Sequence, residues 1–141
     1  PPPVAALPLS QPLTVDWRDL RLLGYDLIPP GSPDPPQLVL YWQAQGDSRR
    51  DLQVHLRLTD AGGRAVWDRG GVPVRWTYPT TRWQPGEVVR DPYPLDLGGL
   101  APGSYQLFLA VQDAHGFHLE AAGDRSGDSE GFVPITTLTV R

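Results

Sequence analysis

The residues best suited to chemistry are aromatic. Trp76, Tyr78 and Trp83 fall within eight positions, flanked by Arg75 and Arg82. Sugar-binding sandwiches set exposed rings against the apolar faces of pyranoses and meet the hydroxyls with charged or amide groups. Trp76, Tyr78, Arg82 and Trp83 are therefore a candidate carbohydrate-binding set. The competing reading is structural: a ring as large as Trp83 can fold beneath its own loop and pin it to a sheet. A second candidate is Asp124-Arg125-Ser126-Gly127-Asp128-Ser129-Glu130. Its Asp124, Asp128 and Glu130 offer the hard oxygens that Ca2+ takes. The spacing is not that of an EF-hand loop, and Arg125 puts a positive charge among the ligands, so a solvated loop is the plainer expectation. No other cofactor is implied.

Catalysis finds little support. A glycosidase needs two carboxyl groups across a cleft. The chain has thirteen Asp but only Glu87, Glu120 and Glu130, and Asp34, Asp47, Asp60, Asp68, Asp96 and Asp113 all sit in turn signals. There Asp serves by bonding to its own backbone. His55 falls on the polar side of a strand, and His115 and His118 lie beside a hairpin turn, so all three read as surface residues. No Gly-x-Ser-x-Gly elbow occurs. Cys and Lys are absent, which removes thiolate nucleophiles, disulfides and Schiff-base chemistry. The chain itself is expected not to be an enzyme. Its net charge is −4 and its twelve basic residues are scattered Arg, which does not suit nucleic acid. No apolar run reaches the roughly 18 residues of a membrane span, so no direct insertion is expected.

The elements that must hold these residues are short strands. Seventeen Pro and fifteen Gly cut the chain into pieces too short for helical periodicity. Asp51–Thr59 alternates cleanly, with Leu52, Val54, Leu56 and Leu58 on one side and Gln53, His55, Arg57 and Thr59 on the other. One face of that strand is wet, as in an antiparallel sheet. Asp19–Ile28 changes parity near Gly24, which predicts a bulge. Gln37–Ala44, Arg64–Trp67, Val72–Trp76, Glu87–Leu95, Gly103–Asp113, Phe117–Ala121 and Phe132–Val140 complete the set. Pro92 and Pro94 confine Glu87–Leu95 to an edge. Tyr105, after Pro102-Gly103-Ser104, has the placement of a tyrosine corner. The spacing gives an all-β, antiparallel β-sandwich, immunoglobulin-like or carbohydrate-binding-module-like, of about seven to nine strands. Residues 1–17 read as a Pro-rich linker or amino-terminal arm and 18–141 as one domain. Leu58-Thr59-Asp60-Ala61-Gly62-Gly63-Arg64-Ala65-Val66 is echoed by Val111-Gln112-Asp113-Ala114-His115-Gly116-Phe117-His118-Leu119, which predicts two similar hairpins.

Several segments together carry a family likeness: Leu23-Gly24-Tyr25-Asp26-Leu27, Leu38-Val39-Leu40-Tyr41-Trp42-Gln43-Ala44, and Tyr78-Pro79-Thr80-Thr81-Arg82-Trp83-Gln84-Pro85-Gly86-Glu87. The hairpin at Asp60–Arg64 and the Pro102–Tyr105 segment continue it. The chain resembles the carboxy-terminal sandwich domain attached to bacterial multi-pass membrane glycosyltransferases of the protein-mannosyltransferase-like type. The resemblance implies an extracytoplasmic domain, tethered through its parent chain, whose catalytic acids belong to the membrane part. The function expected is a non-catalytic accessory module that binds carbohydrate or acceptor, with the parent's membrane domain as the other partner. The alternative is a structural or protein-contact module with no small ligand. A free-standing hydrolase would need a carboxylate pair or nucleophile that the sequence does not supply.

Overall fold

The computed structural model describes residues 11–18, 20–29, 31, 35–45, 51–71, 83–84, 86–113 and 115–140. Within them the chain is all-β. Five strands form one antiparallel sheet in the order β6-β3-β2-β1-β8, and four form a second in the order β5-β4-β7-β9. The strands are β1 (Gln11–Trp17), β2 (Leu20–Ile28), β3 (Gln37–Ala44), β4 (Gln53–Thr59), β5 (Ala65–Gly71), β6 (Val88–Pro94), β7 (Gly103–Gln112), β8 (Ala122–Gly123) and β9 (Val133–Val140).

Alternation places the core. Val54, Leu56 and Leu58 of β4 meet Leu107, Leu109 and Val111 of β7 and face Leu38, Leu40 and Trp42 of β3 in one apolar cluster. His55 and Arg57 consequently project from the outer face of the four-stranded sheet. Trp17 meets the edge of Trp42 at 5.8 Å between ring centroids. Trp42 Nε1 donates to the fully buried Asp91, so that carboxylate is neither stranded nor free. The expected bulge is present: the β2–β3 register shifts between Leu22 and Gly24. It turns Tyr25 into the main core beside Leu22, while Leu23 joins Val39 and Tyr41 in a second cluster. β6 is an edge strand, as Pro92 and Pro94 predict, because an edge is where Pro costs no ladder bond. The Tyr105 hydroxyl donates to the Ala101 carbonyl, the back-bond of a tyrosine corner.

Three expectations need correction. The arm does not extend to residue 17, because Gln11–Trp17 is β1, with Val15 and Trp17 fully buried. Thr and Val alternating beside Trp were the signal, masked by the Pro-rich start. Phe117–Ala121 does not form a return strand. It makes a single bridge, Gln112 to His118, and Leu119 donates to the Val111 carbonyl. β5 runs on to Gly71 rather than ending at Trp67, its two terminal glycines notwithstanding. The strand expected over Val72–Trp76 lies outside the described residues.

Candidate functional site

Of the aromatic set, Trp76, Tyr78 and Arg82 lie outside the described residues. Trp83 is only 3 % exposed and packs in the main core, so its ring faces protein. The acidic loop does not converge on a metal. Asp124 accepts from the Thr14 amide at 2.9 Å, Asp128 accepts from the Glu130 and Phe132 amides, and Glu130 lies 3.5 Å from Arg57. Arg125 turns away to the Pro134 and Ile135 carbonyls. Among the described residues no group of three His, Asp or Glu side chains is placed to hold a cation.

Asp128 instead belongs to a turn that occurs three times among the described residues. Asp60 Oδ1 accepts from the amides of Gly62 and Arg64, Asp113 Oδ1 from those of His115 and Phe117, and Asp128 Oδ1 from those of Glu130 and Phe132. Each turn closes with a Gly at φ between 83° and 86°, a region costly for any residue with a Cβ. The first copy joins β4 to β5 as the predicted hairpin, and the second makes the predicted turn without its return strand. The third, Asp128-Ser129-Glu130-Gly131-Phe132, was hidden because its neighbours suggest a metal loop rather than a turn. Gly131 has a second constraint: a Cβ there would stand 2.7 Å from the Leu119 carbonyl oxygen. Its bareness lets the third turn lie against the segment that follows the second.

That contact draws a polar cluster together over the outer face of the four-stranded sheet. His55 on β4 and His118 after β7, 63 residues apart, meet with Nδ1 of the first 3.0 Å from Nε2 of the second. His55 Nε2 is 2.7 Å from Asp68 Oδ1 on β5, and Arg57 Nε donates to the same oxygen at 2.9 Å. Phe132, 1 % exposed, takes both imidazoles edge-on and carries the Arg57 guanidinium 4.3 Å above its ring. Burial alone would push the Asp68 carboxyl up, but hydrogen bonds from Arg57 and His55 outweigh it and hold the carboxyl below its ordinary range. His118 is held below the ordinary imidazole value, first by burial and then by the neighbouring His55.

Beside this cluster opens a cavity of about 610 Å³ between segments 116–121 and 126–131. Glu120, Asp128 and Glu130 give it carboxylates, Ser126 and Ser129 give it hydroxyls, and His118 forms part of its wall. Phe117 lines it and is 71 % exposed. The arrangement can present hydrogen-bond acceptors beside an aromatic ring. It does not assemble a nucleophile: both nitrogens of His55 are taken, by Asp68 and His118, and no Ser or Thr hydroxyl among the described residues bonds to either imidazole. Sequence reasoning missed this site because its two histidines meet only through the fold. The usable signal was the hairpin echo, which places His118 immediately past a turn.

A second cavity, of about 670 Å³, lies at the opposite end of the sandwich and is apolar. Leu27, Ile28, Leu95 and Leu138 form it, and Leu27 and Ile28 are 37 % and 41 % exposed.

No family model matches this chain, and no curated protein matches it. Solved structures do. One is the crystal structure of the C-terminal domain of wzt, 13 % identical, with a TM-score of 0.55 over 98 % of this chain and 84 % of that one. At that identity the likeness establishes the fold, a two-sheet antiparallel β-sandwich.

Proposed function

We propose that this chain is a non-catalytic accessory module that binds carbohydrate in the cavity between segments 116–121 and 126–131. The observation that carries the reading is Phe117, a ring left 71 % exposed where it lines a cavity of carboxylates and hydroxyls. An aromatic face takes up the C–H side of a pyranose, and an ionised carboxylate accepts from two vicinal hydroxyls at once. The charged groups in the lining are all acidic, which disfavours uronates and sugar phosphates and leaves neutral or amino sugars as the ligand class.

The accessory role draws support from the family likeness in the sequence and from the recurrence of the fold in a C-terminal domain. Attachment to a membrane glycosyltransferase on the extracytoplasmic side follows from the family likeness alone. A glycan array carrying neutral, amino and uronate oligosaccharides tests the binding. Retention of neutral or amino sugars that is lost in Phe117→Ala, with melting unchanged, supports the reading. Equal retention by the variant overturns the site.

The apolar cavity favours a second reading, a protein-contact module docking through Leu27 and Ile28. Association with a neighbouring domain that Ile28→Ser abolishes, together with no binding on the array, would select it.

A further inference from the structure

The structure assigns His118 a specificity role in this cavity, an inference that rests on the carbohydrate reading just given. Its Nδ1 is held as a bare lone pair. It accepts from a sugar hydroxyl or amine and disfavours sugars in which an O-acetyl ester has replaced that donor. Two contacts fix the lone pair. Asp68 Oδ1 stands 2.7 Å from His55 Nε2. Asp68, held below its ordinary range, is a carboxylate and can only accept, so His55 Nε2 carries a hydrogen. A neutral imidazole has one such hydrogen, which leaves His55 Nδ1 as an acceptor. That nitrogen lies 3.0 Å from His118 Nε2, and His118 Nε2 is therefore the donor. Two contacts use two hydrogens, and the two neutral rings supply both. None remains for His118 Nδ1.

His118 forms part of the cavity wall. With Nε2 spent on His55, Nδ1 is the ring nitrogen left for a ligand. Glu120, Asp128 and Glu130 in the same lining are acceptors too, and Ser126 and Ser129 are its side-chain donors. A serine hydroxyl can rotate to suit either partner. The imidazole cannot, because moving its hydrogen to Nδ1 would require His55 to give up its bond to Asp68. A sugar hydroxyl meets this lone pair with a hydrogen. An ester carbonyl would set lone pair against lone pair and leave both desolvated without a bond, which is how a polar site rejects an analogue lacking the donor. Asp68 and His55 are positioning residues in this account, since they act only by setting which nitrogen of His118 is bare.

Nitrogen NMR of the whole chain at about pH 8, the upper end of histidine titration, reads the tautomer directly. His118 is expected to show a protonated Nε2 and a bare Nδ1. Saturation with neutral glucose or mannose oligosaccharides should move the Nδ1 resonance toward the hydrogen-bonded range and leave Nε2 in place. The unsubstituted chain should hold these sugars more tightly than their O-acetylated counterparts. His118→Gln keeps a donor for His55 but has no lone pair at the Nδ1 position, and should cut that ratio by about five-fold, the worth of one hydrogen bond. A purely structural role would lower both affinities alike and leave the ratio unchanged. A protonated Nδ1 in the free chain overturns the relay, and the unsubstituted chain reads this even where the variant does not fold. A bare Nδ1 that bound sugar does not move, or a ratio unchanged in His118→Gln, overturns the specificity role while sparing the cavity. No retention of any neutral sugar, with the tautomer as described, removes the carbohydrate reading and the specificity together.

Discussion

Trp83 and Phe117 stand for two regions that the fold treats in opposite ways. Trp83 sits in an aromatic, Pro-rich segment that reads as a sugar platform, yet its ring is buried in the main core. Phe117 follows an Asp-Gly turn that reads as plain structure, yet its ring is largely bare and lines the polar cavity. Aromatic density in the sequence thus marked the pinning residue, while the exposed ring came from a turn whose shape is fixed by Asp113 and Gly116. Exposure belongs to the fold, because a ring is buried or bared by what packs across it.

The sharpest way to break this contrast is to remove each ring. Trp83→Ala should cost about 3–5 kcal/mol of stability in a denaturant melt, the usual loss for a buried large aromatic. Phe117→Ala should stay within about 0.5 kcal/mol, as surface changes do. Equal costs would erase the distinction. Next in size is Gly131→Ala, which combines a positive φ with a Cβ 2.7 Å from the Leu119 carbonyl oxygen. A loss of about 1–3 kcal/mol is expected, together with spreading of the cavity walls, visible as shifts at His118 and Leu119. The same substitution at Gly63 has open space around the new Cβ and should cost less.

Smaller still is the effect of Phe117→Ala on affinity, about five-fold weaker carbohydrate binding, from a stacking energy of ~1 kcal/mol. Acid should act through two groups. His118 has a folded value below 6.5, so the unfolded chain holds its proton more tightly. The stability it contributes is complete above 6.5 and declines as the pH falls through the lower folded value. Asp68 is likewise lowered, from 3.8, so its contribution is present above that value and lost further into acid. Melting temperature against pH checks both, and His118→Gln should remove the first step only. At the apolar end, Ile28→Ser should leave stability and sugar binding almost unchanged, since Ile28 is 41 % exposed.

The architecture was legible because alternation is a local signal. The pattern Leu52-x-Val54-x-Leu56-x-Leu58 fixes its own inward face, and the parity change near Gly24 announces the bulge that the register contains. The repeated Asp-x-x-Gly turns were readable in two of three copies. The His55–His118–Asp68 cluster was not, because its members come from separate strands and loops that only the order β5-β4-β7 brings side by side. β1 was missed for a different reason: the prolines before it hide a strand whose buried positions, Leu13, Val15 and Trp17, are spaced by two.

The central claim is the place where carbohydrate binds. Backbone amide shifts followed during titration with a neutral oligosaccharide test it most directly. The account predicts that the largest shifts gather on Phe117, His118, Glu120, Ser129 and Glu130, with Leu27, Ile28 and Leu138 unmoved. Shifts centred on those three apolar residues, or on the segment 76–82, would contradict it.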